Sequence, residues 1–290
     1  MMPMMPMMPM MLLHLSDTHF GTERPRVVEA LVRFARVHRP QVVVLSGDIT
    51  QRARRAQFRA ARSFVDRLEA PNTLVIAGNH DIPLYNLPAR LLSPYGGFLR
   101  EFGALEPALE TTELLVVCVR TTRRHRHVNG EVSAAQIDAV AQRLRRAREH
   151  QLRIVVTHQP LQVERARDAH DRLRGHEAAA RAWSAAGADL VLGGHIHLPY
   201  VLPMHEQLPA LPRHLWVVQA GTAVSERVRE GIPNSVNVVR WDAAAATSPR
   251  GCWVERWDYQ ATMDAFAQVH RSALAIGPRE ATTPAAVRSD

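Results

Sequence analysis

Met11-Leu12-Leu13-His14-Leu15-Ser16-Asp17-Thr18-His19 and Gln41-Val42-Val43-Val44-Leu45-Ser46-Gly47-Asp48-Ile49-Thr50 follow one pattern: an apolar run of strand length that ends on a short polar cluster. The nearly unbroken apolarity of 41–46 is that of a strand covered on both faces. Between the two runs, Val28, Leu31, Val32 and Ala35 recur at helical spacing, predicting a helix from Pro25 to Val37 with proline favoured at its first position, and Pro40 stops it. Thr50 is placed to cap an Arg-rich helix running to Glu69, and Thr73 to Ala77 is a third strand, followed by Gly78-Asn79-His80-Asp81. A β-α-β-α-β order predicts parallel strands with right-handed crossovers, whose carboxyl ends point the same way. Asp17, His19, Asp48 and Asn79 follow those ends and are expected at one edge of a sheet.

Working outward, residues 82–110 carry Pro83, Pro88, Pro94 and Gly96-Gly97, which fit short helices and turns. The α/β logic then repeats: strand Leu114 to Val119, helix Ser133 to about His150, strand Leu152 to Val156, helix Glu177 to Ala186, strand Leu190 to Leu192. Thr157-His158 and Gly194-His195-Ile196-His197 follow the last two strands. Leu215 to Gln219, Ser235 to Val239 and Gly251 to Trp257 read as shorter strands, antiparallel and closing the second sheet. Residues 11–258 are therefore expected to form one domain, with a disordered Met/Pro-rich extension over 1–10 and a helix and loose tail over 259–290.

Bulk properties narrow the class. A 290-residue chain with 46% hydrophobic and 22% charged residues has the composition of a globular protein with a large core. No apolar stretch has the length of a membrane span, and the Met-Met-Pro opening lacks the basic start and apolar core of a signal peptide, so the cytoplasm is the expected compartment. Cys118 and Cys252 lie in apolar runs and suggest no disulfide scaffold. The net charge of +8 would suit a nucleic-acid partner. However, all 36 basic residues are arginine and alanine is abundant, as codon bias produces, and the arginines lie mostly on helical stretches where a solvated face is the default. Nucleic acid is thus the disfavoured partner. Oligomeric state is not written in any motif, although a surface loop could supply a dimer contact.

Asp17 and His19, and again His195 and His197, stand two apart, where an extended backbone would point both side chains to one side. Carboxylate oxygen, imidazole nitrogen and amide oxygen together suit Mn, Fe or Zn better than Ca or Mg. The ordered set D-x-H, G-D, G-N-H-D, H and G-H-x-H, from Asp17 to His197, resembles the calcineurin-like metallophosphoesterase superfamily. That resemblance implies a four-layer α/β/β/α sandwich of two packed mixed sheets. It also implies two divalent or mixed-valence transition metal ions, one held by Asp17, His19 and His197 and the other by Asn79, His158 and His195, with Asp48 bridging. Two divalent cations against two carboxylates leave a positive pocket suited to the phosphate of a small phosphoester substrate, and paired metals can lower the pKa of a shared water for in-line attack. His80 is then left over; its counterpart in the family contacts the scissile phosphate and assists the leaving group, as a general acid does. Asp81 either orients that imidazole or serves the turn before Ile82-Pro83. His125-Arg126-His127 copies the two-residue spacing, but neighbouring arginines would repel a cation, and a solvated loop is expected.

Leu15-Ser16-Asp17-Thr18-His19, Gly47-Asp48-Ile49-Thr50, Gly194-His195-Ile196-His197 and Gly130-Glu131-Val132 with Gln136 are most similar to bacterial phosphodiesterases of the class III cyclic-nucleotide type. Gln159 and Arg120-Thr121 depart from that pattern and bear on the substrate. A repair-type DNA nuclease and a non-catalytic scaffold of the same fold are the alternatives; the first lacks room for a long capping portion after Tyr259, and the second predicts lost ligands where none is lost. Substrate-selecting walls are expected in the loops at Tyr85–Gly97, Arg123–Asn129, Leu161–Arg174 and Leu198–Pro212.

Overall fold

A computed structural model of the chain describes residues 9–126, 128–243 and 251–279. The opening repeat up to residue 8, His127 and residues 280–290 lie outside the described residues, so the expected extension and distal tail are not part of the fold described. The strands are β1 (Met10–Leu15), β2 (Val42–Leu45), β3 (Asn72–Val75), β4 (Ala108–Glu110), β5 (Leu114–Cys118), β6 (Leu152–Val156), β7 (Leu190–Gly193), β8 (Tyr200–Pro203), β9 (Trp216–Gln219), β10 (Ser235–Asp242), β11 (Gly251–Gln260) and β12 (Ala265–Leu274). The helices are α1 (Pro25–His38), α2 (Arg55–Arg67), α3 (Leu87–Leu92), α4 (Gly96–Phe102), α5 (Ala134–Arg145), α6 (His176–Ala185) and α7 (Met204–Gln207).

Among the described residues the strands form two six-stranded mixed sheets, β12-β11-β10-β1-β2-β3 and β4-β5-β6-β7-β9-β8. β1, β2 and β3 run parallel, as do β5, β6, β7 and β9. Alternation along each strand assigns its two faces. Leu13 and Leu15 of β1 pack with Leu31 of α1 and Phe58 and Phe64 of α2, whereas Met10 and Leu12 face a second core shared with Val116, Ile154 and Leu192 of the other sheet. A third core joins that other sheet to α5 and α6 through Val155, Val191, Leu144 and Trp183. The layers are therefore α/β/β/α, and strands buried on both faces read as continuous apolar runs for that reason.

The sequence reading is corrected at four points. β10 and β11 extend the first sheet, with β10 antiparallel to β1, instead of closing the second; their apolar alternation suits either sheet, so the pattern carried no pairing information. β9 joins the second sheet as expected and is antiparallel to β8, but it runs parallel to β7 on its other side. The helix expected beyond Tyr259 is strand β12, turned back on β11 through Asp264, whose backbone is left-handed (φ 46°) and whose carboxylate accepts from Tyr259 Oη and Arg33. Thr50 does not cap α2, which starts at Arg55 after Arg54; its hydroxyl donates to Asp81 instead.

Candidate metal centre

Parallel strands from both sheets end at the same edge of the sandwich. Asp17 and His19 follow β1, Asp48 follows β2, Asn79 and His80 follow β3, His158 follows β6, and His195 and His197 follow β7. The connections are sharply turned there. Asp17, His19, Asp48, His195 and His197 all have positive φ, from 41° to 76°, and make up five of the ten non-glycine residues so placed among the described residues. Left-handed backbone costs an ordinary residue of order 1 kcal/mol or more, so it persists only where packing over-determines it, and it gathers at functional sites. The convergence of Asp17 with His19 and of His195 with His197 comes from these turns and not from extended backbone. Glycines make the approach of loops feasible: a Cβ on Gly78 would overlap the Asp48 amide and carboxylate, and one on Gly194 would overlap Ser16 Oγ and Asp17 Oδ2.

Two clusters result, each able to hold a cation: Asp17, His19, Asp48 and His197, and Asp48, His158 and His195. In the first, Asp17 Oδ1 lies 3.4 Å from His197 Nε2 and 3.8 Å from His19 Nε2. The two imidazole nitrogens face each other at 3.2 Å. In the second, Asn79 Oδ1 stands 3.1 Å from His158 Nε2 and 3.0 Å from His195 Nδ1. Asp48 divides its oxygens between them: Oδ2 is 3.7 Å from His19 Nε2, and Oδ1 is 3.3 Å from His158 Nε2. Asp17 Oδ1 is buried with no hydrogen-bond partner. A buried carboxylate oxygen aimed at imidazole nitrogens has no neutral explanation, and a cation satisfies it together with the facing rings. The donors thus fit the two metal ions that the motifs imply.

The electrostatics show a cluster whose carboxylates draw positive charge to them. Burial pulls the His158 imidazole down, but the adjacent Asp48 carboxylate more than reverses this and holds it up at about 9. Burial raises Asp48, yet His158 and then His80 and His19 carry it well below the ordinary carboxylate range. Burial dominates at His19, which is held well below its usual value and is therefore neutral and available as a donor. The rings are aimed from behind: His158 Nδ1 donates to Ser46 O at 2.9 Å, and His197 Nδ1 lies against Arg227 O and 2.9 Å from Thr222 Oγ1. Such outer bonds fix tautomer and orientation in metal-binding histidines.

His80 stands at the edge of this cluster, half-buried. Its Nδ1 is 3.1 Å from Gln51 O, its backbone amide donates to Asp48 Oδ1 at 2.8 Å, and Arg227 Nη1 comes within 3.1 Å of its Nε2. Asp81 is bound into the loop. Its carboxylate accepts from Ile49 N, Gly78 N, Thr50 N and Thr50 Oγ1 at 2.7–3.0 Å, which fills its four acceptor positions. Of the two roles open to Asp81 in the sequence, these bonds serve the loop. The arginines of the 123–126 loop are tied to protein as well, Arg123 to Gln136, Arg124 to Leu91 O and Arg126 to Glu131.

Three residues at the centre carried no motif. Thr222 and Arg227 come from the β9–β10 connection, and Arg227 also bonds Gln51 Oε1 at 3.1 Å. Asp171 reaches to 3.7 Å from His195 Nε2; burial raises its carboxyl, but the imidazole overrides this and holds it below the usual range. Gly221-Thr222 after an apolar run repeats the strand-end grammar of Gly47-Asp48 and was the one available signal; Arg227 and Asp171 sit inside unpatterned loops.

The profile of the calcineurin-like phosphoesterase family matches residues 10–199. No curated protein sequence matches the chain significantly. Among solved structures, the chain is similar to a purple acid phosphatase of yellow lupin (TM-score 0.67, 11% identity), covering 92% of this chain and 54% of that one, so it spans about half the length of the lupin protein. It is similar to a dimetal phosphatase of Danio rerio (TM-score 0.61, 12% identity; 92% and 99% covered) and to PhoD (TM-score 0.62, 10% identity; 97% and 73% covered). At these identities the likeness is one of fold. Among the described residues, no helix is long and apolar enough to cross a membrane.

Proposed function

The chain belongs to the calcineurin-like phosphoesterase family, and on that premise we propose that it is a phosphodiesterase working at a two-metal centre held by Asp17, His19, Asp48, Asn79, His158, His195 and His197. The observation that carries this is the split of the Asp48 oxygens between two adjoining donor clusters. The mixed oxygen and nitrogen donors favour Mn, Fe or Zn. When bound, such a pair of ions activates a shared water and offsets charge on the phosphoryl oxygens during in-line displacement.

The remaining work falls to side chains at the rim. With Nδ1–H donated to Gln51 O, the His80 ring turns Nε2 toward Arg227. A substrate phosphate entering here draws the guanidinium away, because a charge-assisted bond to phosphate is stronger than one to imidazole. Nε2, once it has taken up a proton from solvent, then passes that proton to the leaving oxygen, the role of a general acid. Asp81 holds the Asp48 loop against the Asn79 loop and so sets the spacing of both clusters.

Preference for diesters over monoesters rests on the similarity of the Asp17, Asp48 and His195 motifs to class III cyclic-nucleotide phosphodiesterases. The test combines metal analysis with hydrolysis of bis(p-nitrophenyl) phosphate, p-nitrophenyl phosphate and a cyclic nucleotide by wild type, Asn79→Ala and His80→Ala. Diester hydrolysis supported by Mn is expected, lost in both variants, with metal content falling in Asn79→Ala only. Faster monoester turnover, or a protein that takes up no metal, would overturn the proposal.

A further inference from the structure

Next to His80 the protein opens into a cavity of about 650 Å³ whose walls are the two metal-centre loops continued outward. Gln51 O, which accepts from His80 Nδ1, leads directly into Arg52 and Ala53; Pro83, Leu84 and Tyr85 follow His80 from the other side. Arg52, Arg54, Arg55 and Arg100 line this space, and no acidic residue does.

What sets these arginines apart is that they converge on one space from two parts of the chain. Along α2, which begins at Arg55, Arg62 pairs with Asp66 and Arg67 with Glu29, while Arg59 stands on the exposed face. The four cavity arginines have no carboxylate partner among the described residues. Four guanidinium groups around one space repel one another, and an anion with several oxygens relieves that repulsion through forked hydrogen bonds. Tyr85 adds an aromatic face: the residue is 77% exposed, and the Arg52 guanidinium lies 5.3 Å from the centre of its ring. Such a pairing of cation and ring is suited to stacking a base. The volume exceeds what one phosphate fills and is that of a site for a small molecule.

We propose that this cavity binds the leaving portion of the substrate, and that this portion is a phosphorylated nucleoside: the ring rests on Tyr85 and its second phosphate lies among Arg52, Arg54, Arg55 and Arg100. This names a substrate class for the diester hydrolysis proposed above and rests on that reading. Hydrolysis breaks the P–O bond to the leaving nucleoside, one water supplies the hydroxyl kept by phosphorus and the proton gained by the leaving oxygen, and the second phosphate is untouched.

The test compares the dinucleotide TpT with pTpTp, which bears a phosphate at both ends and so presents one on whichever side leaves. Wild type is expected to favour pTpTp by about tenfold or more in kcat/KM, the scale of one or two charge-assisted hydrogen bonds. In Arg52→Ala/Arg100→Ala that ratio falls toward one, while Arg59→Ala, on the exposed face of α2, keeps it. Calorimetric binding of both dinucleotides to the His80→Ala protein reads the cavity even if no ester is cleaved, so a missing reaction and a missing pocket are told apart. Equal binding of TpT and pTpTp, or a preference that survives the double substitution, overturns the proposal. Binding to phosphatidylglycerol vesicles without a preference for pTpTp also overturns it, reassigning the arginines to a lipid headgroup beside the exposed Leu87, Leu91 and Leu92.

Discussion

The strand-end loops and the segment from Pro83 to Ser93 meet at His80, and they obey opposite rules. In the loops, Asp17, His19, Asp48 and His158 are buried, left-handed backbone recurs, and a saturated carboxylate, Asp81, ties one loop to the next. In the segment, helix α3 buries no residue, and Tyr85, Leu87 and Leu92 stand in solvent. The difference teaches where each property of the centre is stored. Donor positions are over-determined by packing and cannot shift singly, whereas the α3 side of the wall beside the leaving group buries no helix residue and can change without disturbing the core.

The strongest way to break this comparison is Asp48→Asn, which keeps shape and loop hydrogen bonding while removing the shared negative charge. Loss of several kcal/mol of charge stabilisation corresponds to about a thousandfold in turnover, with metal content dropping below two ions per chain. Elemental analysis alongside aryl diester kinetics checks it. Full activity with both ions retained would show that the two clusters do not depend on a common carboxylate.

A second, smaller effect probes the burial under the loops. His14 lies on β1 with Nε2 2.9 Å from Ser46 Oγ and Nδ1 buried without a partner, and burial pulls its pKa down from 6.5 to about 3. Between those values the unfolded chain binds a proton that the native ring refuses. Its contribution is therefore complete above about pH 6.5 and is lost as pH falls toward 3, at roughly 1.4 kcal/mol per pH unit. Denaturant unfolding from pH 6.5 to 4.5 should show a slope steeper by about that amount in wild type than in His14→Gln. Parallel slopes would mean that the ring is not held neutral.

How much of this was legible in the sequence follows the same division. The apolar runs before Asp17, Asp48 and Asn79 are strands because both faces are buried, and that doubled burial is what makes a run uninterrupted and readable. Sheet membership of β10 and the strand state of β12 were not legible, since alternation records burial but not the neighbour against which a strand pairs. At the centre, the residue types showed the donors, but Asp81 looked catalytic because its position beside His80 hides the four hydrogen bonds that hold it to the Asp48 loop. Arg227 left no trace, because a lone arginine in an irregular connection has no period and no fixed spacing.

Arg227 tests the boundary between the two regions, since its carbonyl is packed against His197 while its guanidinium reaches His80. Arg227→Ala keeps the carbonyl and removes the guanidinium. One charge-assisted bond to substrate is about 1.4 kcal/mol, so kcat/KM should fall about tenfold, mostly in KM. Metal content should hold. A loss of metal instead would place the side chain with the buried loops.

The substitution with the smallest expected effect, Leu92→Ala, sharpens the comparison most directly when set against its buried counterpart, because the pair pits one residue type against itself. Leu13 is fully buried on β1 beneath the helix layer, and Leu92 is 86% exposed at the end of α3. Truncation to alanine leaves a cavity at the first and removes only solvent-facing methyls at the second. Leu13→Ala should cost about 2–5 kcal/mol of unfolding free energy, and Leu92→Ala should stay within about 0.5 kcal/mol. A Leu92→Ala cost approaching that of Leu13→Ala, measured by denaturant midpoint on the isolated chain, would show that α3 is covered in solution and that the cavity beside it is not an open wall. An unchanged midpoint leaves α3 as surface, where apolar residues that do nothing for the fold are free to answer to whatever binds there.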